Sequence, residues 1–246
     1  MNNVVMNKYL TEKRGIMDTS KRVCCYTEEE KNKRIPLPDY TLGEELINAI
    51  SHGIGAGLSI AALVLCVVKA AGNGSPMAVV SAALYGSMLF ILYMMSTMYH
   101  ALKRNNAKRV FRVFDHCTIF LLIAGTYIPV VLVSIGGVLG WVYFGVIVAA
   151  SVVGIVFNAI DVEKYQKISL FCYIFMGWVI VFGFKSLLRS MDKNGIILLV
   201  AGGLVYTLGA VLYSIGDNRR YFHSIWHFFV MGGSILHFFT IYLYVL

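Results

Sequence analysis

Charge is scarce in this chain. Only 14% of its 246 residues are Asp, Glu, Lys or Arg, where soluble domains run near a quarter. No long polar stretch interrupts the sequence beyond about residue 45, which excludes a second, water-soluble domain there. Cysteine gives no extracellular framework: Cys66, Cys117 and Cys172 fall in hydrophobic blocks, and Cys24 and Cys25 lie in the polar N-terminal stretch. Disulfides are therefore not expected. The first 45 residues lack the early apolar run of a secretory leader, so no cleaved signal peptide is expected. Within the hydrophobic blocks acid is almost missing: every Asp and Glu except Asp115 lies in the polar stretch or near a block end. Histidine shows the reverse. His52, His100, His116, His223, His227 and His237 all lie in or at the edge of hydrophobic blocks, and none lies in the polar stretch.

What is present is apolar. Hydrophobic residues make up 58% of the chain, and the mean hydropathy is +0.71. They run in long blocks near 47–69, 77–101, 114–134, 138–159, 168–189, 195–216 and 222–245. Runs of about 20 apolar residues read as membrane-spanning helices. The expected fold is an all-α integral membrane protein of seven transmembrane helices. The expected division is a polar tail over 1–45, solvated and partly disordered, and a membrane domain over 46–246. Turns are expected at Gly72-Asn73-Gly74-Ser75-Pro76 and at Gly136-Gly137, and a kink at Pro129. The net charge of +8 reads as a topology signal rather than a nucleic-acid footprint. With the N-terminus in the cytoplasm, every Lys and Arg except Lys69, Lys185, Arg189 and Lys193 falls on the cytoplasmic side. That bias predicts a cytoplasmic N-terminus, an outside C-terminus and a multi-pass protein of the cell membrane.

Ionisable groups inside spans are costly and mark functional sites. His223 and His227, in His223-Ser-Ile-Trp-His227, are four apart and share one face of the last helix. In the predicted topology they lie at the same end as His52, His100, Asp115 and His116. His237 is ten residues past His227, about 15 Å deeper, and reads as a helix–helix hydrogen bond or a pore-side polar group. Ser96 stands one turn from His100. Three imidazoles from two helices plus a carboxylate from a third suit a catalytic zinc with an open position. Asp115 then serves to hold a water or take its proton. Cys117 is a further possible ligand but lies off the face of Asp115.

These residues resemble the haemolysin III family of bacterial membrane proteins, grouped with the progestin and adiponectin receptors and the alkaline ceramidases. The likeness rests on Glu45-Leu-Ile-Asn48 with His52, on Ser96-Thr-Met-Tyr-His100, on Asp115-His116 leading into Leu122-Ile-Ala-Gly-Thr-Tyr-Ile-Pro129, and on His223-Ser-Ile-Trp-His227. It implies zinc held by His100, His223 and His227, with Asp115 reaching the metal through water and Ser96 beside the ligands. Glu45, Asn48, His52 and His116 would support the site. Hydrolysis of a membrane lipid amide is the first expectation, with zinc as cofactor and lipid as substrate or ligand. A non-enzymatic sensor of lipid homeostasis and a pore-forming cytolysin are the alternatives. Pore formation fits poorly, since polar residues do not repeat along any helix face beyond the histidine layer.

Overall fold

The computed structural model describes residues 35–216 and 219–246. Most of the expected 1–45 tail, with Cys24 and Cys25, lies outside the described residues. Among the described residues, seven helices are long and apolar enough to cross a membrane. They are α1 (Leu42–Gly72), α2 (Pro76–Ala101), α3 (Asn106–Ile135), α4 (Gly137–Asp161), α5 (Gln166–Ser190), α6 (Lys193–Ile215) and α7 (Phe222–Tyr244). The described residues contain no strand. The expected turns fall at Asn73–Gly74 and at Gly136, where φ is +63°. Cys66, Cys117 and Cys172 are free thiols.

Two helices begin earlier than their apolar blocks, because hydrogen bonds rather than hydropathy set the starts. At α1 the Thr41 N–H donates to Glu44 Oε2 at 2.8 Å, and the Glu44 N–H donates to Thr41 Oγ1 at 3.3 Å. This is a reciprocal capping box. It draws Glu44 and Glu45 into the first turn, where carboxylates suit the helix dipole. At α3, Asn105 Oδ1 accepts from the Lys108 N–H at 2.9 Å. Asp115 and His116 therefore sit more than two turns inside α3 rather than at its mouth, preceded by helical Lys108, Arg109 and Arg112.

Pro129 lacks an N–H, so the ladder cannot continue unchanged. The chain passes into a π-helical turn over Val130–Ile135. In α5 the α-helix stops at Trp178, tightens into a 3₁₀ turn over Val179–Gly183 and resumes at Phe184. The cause is a side chain in the ladder. Tyr127 of α3 donates its hydroxyl to Met176 O at 2.7 Å and accepts the Ile180 N–H at 3.0 Å.

Helix α1 packs along α2, α2 against α3, α3 against α4, α6 against α7, and α7 back onto α1. Helix α3 is the most buried, with 61% of its apolar stretch inside the protein against 22% for α4 and α5. Close approach rests on glycines, as expected where lipid supplies no hydrophobic drive between helices. A Cβ on Gly86 would lie 2.7 Å from the Leu63 backbone, and one on Gly154 would lie 2.1 Å from the Phe120 ring. Lipid-facing residues are the large apolar ones, including Val138, Phe171 and Phe182.

The Gly86 contact is with backbone and cannot relax by a rotamer change. Gly86→Ala should destabilise the bundle by roughly 1–3 kcal/mol, as overpacking does. The lipid-facing Gly57→Ala, with open space at the new Cβ, should not lower stability. Thermal unfolding of both variants in detergent checks this, and equal melting temperatures would refute it.

Candidate metal centre

The α2 C-terminus and the α7 N-terminus meet at the end of the bundle where α1 begins. His100 is in the last turn of α2. His223 and His227 occupy the first turns of α7, one turn apart. His100 Nε2 lies 3.2 Å from His223 Nε2, and His227 Nε2 lies 3.1 Å from His223 Nε2. One ligand atom from each of the three fits within 4.8 Å of the others. A metal–nitrogen distance of about 2.0–2.1 Å places tetrahedral ligands roughly 3.3 Å apart, so the spacing suits one ion. His100 and His227 are buried and His223 is half-buried.

Glu45 governs the tautomer at His100. Its Oε2 lies 2.7 Å from His100 Nδ1, and its Oε1 lies 2.7 Å from Lys108 Nζ. With the proton on Nδ1, His100 presents an unprotonated Nε2 to the cluster. This is the carboxylate–histidine arrangement common behind metal ligands. Lys108 is buried. It also donates to Leu102 O at 3.0 Å and stands over the Tyr99 ring at 5.0 Å. Asn48 Nδ2 approaches His100 Nδ1 at 3.5 Å. His52 stacks on His227, with ring centroids 3.7 Å apart at 15°, and meets the Tyr93 edge at 4.9 Å. Neither His52 nitrogen makes a standard hydrogen bond, nor does Nδ1 of His223 or His227.

A second carboxylate sets the α7 start. Tyr221 has a left-handed backbone, φ +64°, and no side chain caps α7 from within. Instead Glu44 Oε1 accepts the Tyr221 N–H at 2.6 Å. One side chain thus closes the capping box of α1 and fixes the entry to the helix bearing two of the histidines. Tyr40 covers the cluster from outside, its ring stacked on His223 at 5.0 Å and tilted over His100 at 5.8 Å. Burial pushes its phenol well above the usual range, so it stays protonated.

A cavity of about 410 Å³ extends from this layer along the bundle. His52, Ser96, Asp115, His116, His223 and His227 line its polar end. The Ser96 hydroxyl is buried and lies beside the Asp115 carboxylate. Asp115 and His116 are half-buried, and the His116 carbonyl accepts from Tyr173 at 2.8 Å. The remaining wall is mostly apolar, from Leu92, Ile119, Ile123, Leu170, Ile174 and Trp226. His237 stands apart from the cluster. Its Nε2 meets Leu199 O of α6 at 3.1 Å, the helix–helix bond expected for it.

The structure therefore brings His100, His223 and His227 together. It sets Glu45, Asn48 and His52 against them and lines one cavity with Ser96, Asp115 and His116. Sequence reasoning missed Glu44, Lys108, Tyr40 and Tyr221. The pattern Thr41-Leu-Gly-Glu44 carried the capping signal for Glu44. A buried lysine paired to Glu45 had no comparable sign.

The chain matches the family model described as "Haemolysin-III related" over residues 40–238. It is 41% identical over 203 residues to "Hemolysin-3" of Bacillus cereus, covering 82% of this chain and 92% of that protein. To the "Hemolysin-3 homolog" of Bacillus subtilis (strain 168) it is 38% identical, covering 83% and 96%. The human "Monocyte to macrophage differentiation factor" is 30% identical over 174 residues, covering 68% of this chain and 71% of that one. The capping box, the four histidine-layer segments and the residues that line the cavity all fall within the matched span, and this multi-pass membrane protein belongs to the haemolysin III family.

Proposed function

We propose that this protein is a zinc-dependent hydrolase of a membrane lipid amide, with His100, His223 and His227 as ligands. The observation that carries the reading is three convergent imidazole nitrogens, two of them on residues, His223 and His227, that line an apolar cavity together with the Asp115 carboxylate of a neighbouring helix. Bound there, zinc would supply a Lewis acid that polarises an amide carbonyl and makes water more acidic. The charge bias supports a site near the cytoplasmic face.

The protein's own groups divide the remaining work. Glu45 keeps the His100 proton on Nδ1, and Lys108 holds Glu45 in place. Asp115 accepts a proton from the attacking water and returns it to the departing amine nitrogen as the C–N bond breaks. Ser96 offers a buried hydroxyl donor on the same wall. Ile119, Ile123, Leu170 and Ile174 hold an acyl chain away from water. A non-catalytic sensor would use the same ligands but would not need Asp115 as a base, so turnover separates the two. The pore suggested by the relatives' name finds little support in a chamber walled mainly by apolar side chains.

His227→Ala should lose bound zinc, and Asp115→Asn should keep zinc while slowing ceramide hydrolysis by about 10²–10⁴-fold, the usual worth of a positioned base. Elemental analysis and turnover of a ceramide in mixed micelles measure both. Equal zinc and equal turnover in wild type and His227→Ala would end the hydrolase reading.

Glu45→Gln should weaken zinc binding about 10–100-fold, as loss of a partner behind a metal ligand does. A competition titration with a coloured chelator reports it. Undiminished affinity would mean that Glu45 does not set the His100 tautomer.

A further inference from the structure

The cavity has a second polar feature at its inner end. His237 keeps only 9% of its surface exposed, and it lines the cavity together with Tyr206. Its Nε2 is committed to Leu199 O. A carbonyl accepts only, so the proton is on Nε2 and Nδ1 is left as an acceptor. Nδ1 is buried with no hydrogen-bond partner. Gly202 of α6 admits the opposite side of the ring: a Cβ there would lie 2.3 Å from His237 Cδ2 and 2.5 Å from Nε2. The ring is thus held by one edge, and its free nitrogen is on the other.

None of the neighbouring hydroxyls is bonded to Nδ1. The Tyr206 ring meets His237 as a T, with centroids 5.3 Å apart, and the Tyr206 hydroxyl is bonded to Ser234 Oγ at 2.7 Å. Ser234 also receives the Tyr93 hydroxyl at 2.8 Å. Thr126 donates to Leu122 O at 2.9 Å and Thr207 to Gly203 O at 2.8 Å. The hydroxyls of this part of the wall are therefore engaged. An acceptor left unmatched on a residue that lines an apolar chamber calls for a donor from a ligand.

We propose that the inner end of the cavity is a second polar subsite, in which His237 Nδ1 accepts a hydrogen bond from a hydroxyl on the lipid chain. The inference rests on the reading of this cavity as a lipid site and defines the lipid further. His237 follows His227 by ten residues, so the hydroxyl stands about 15 Å from the group held at the histidine cluster. An extended chain advances roughly 1.2 Å per bond, as a peptide does over three bonds per residue. The preferred ligand is a chain-hydroxylated amphiphile with its hydroxyl about a dozen bonds from the polar head.

Trp178 and Trp226 line the same chamber, so intrinsic fluorescence reports occupancy. Zinc-loaded full-length protein in detergent is titrated with 12-hydroxydodecanoate, 6-hydroxydodecanoate and dodecanoate. The terminal hydroxyl should tighten binding at least tenfold over dodecanoate, and the mid-chain hydroxyl should not. His237→Phe should erase the advantage while zinc content stays unchanged, and His237→Gln, which keeps a donor and an acceptor, should restore part of it. Equal binding of all three probes to wild type would leave Nδ1 to a bound water and overturn the subsite, with the lipid reading intact. An advantage that survives in His237→Phe would overturn it as well. Binding of none of the probes would remove the lipid reading and the subsite together. Should His237→Phe fail to fold, the positional comparison in wild type decides alone.

Discussion

The Glu45 carboxylate bears the heaviest obligation in this protein. It stands at the end of an apolar bundle, with one oxygen on an imidazole and the other on a buried ammonium. Removing any of the three would strand a charge or a polar atom where little water can replace the partner. The arrangement therefore locks three helices at once: α1 supplies the carboxylate, α2 the histidine and α3 the lysine. The histidine cluster inherits its geometry from that lock. Metal-ligand side chains are flexible, and three of them converge only when something behind them is fixed.

Glu44, the preceding residue, does for α7 what Glu45 does for α2. The two carboxylates leave the first turn of α1 about 100° apart, so one reaches the α2 end and the other the α7 start. Together they bring to one place two helix termini whose histidines, His100 and His223, are 123 residues apart in sequence. The capping box supplies their rigid base, because Thr41 holds the backbone from which both project.

The spans were legible because bilayer thickness imposes a length and a composition on each of them. The histidine layer was legible because all six histidines avoid the polar tail and five of them fall at one end of their spans. Both readings use one property of the sequence at a time. The residues that escaped are those whose role depends on two distant positions together. Lys108 looks like a topology charge until α3 is seen to start at Asn106 and to turn its ammonium inward to Glu45. Tyr221 looks like a loop aromatic until its backbone N–H is seen to have a partner on α1. Asp115 was found for its isolation but placed too near a helix end, because hydropathy ignores the Asn105 cap that extends α3.

The bond between Glu44 and the Tyr221 N–H has a consequence for biosynthesis. The chain is made from α1 onward, and α7 emerges last of the seven helices. Until it does, Glu44 has no Tyr221, the Tyr93 hydroxyl has no Ser234, and His100 has neither His223 nor His227. A truncated or half-inserted chain thus carries one of the three converging imidazoles rather than a pair of them. The final helix, on docking, completes the cavity and the cluster in the same step, so the three imidazoles converge only at the end of assembly.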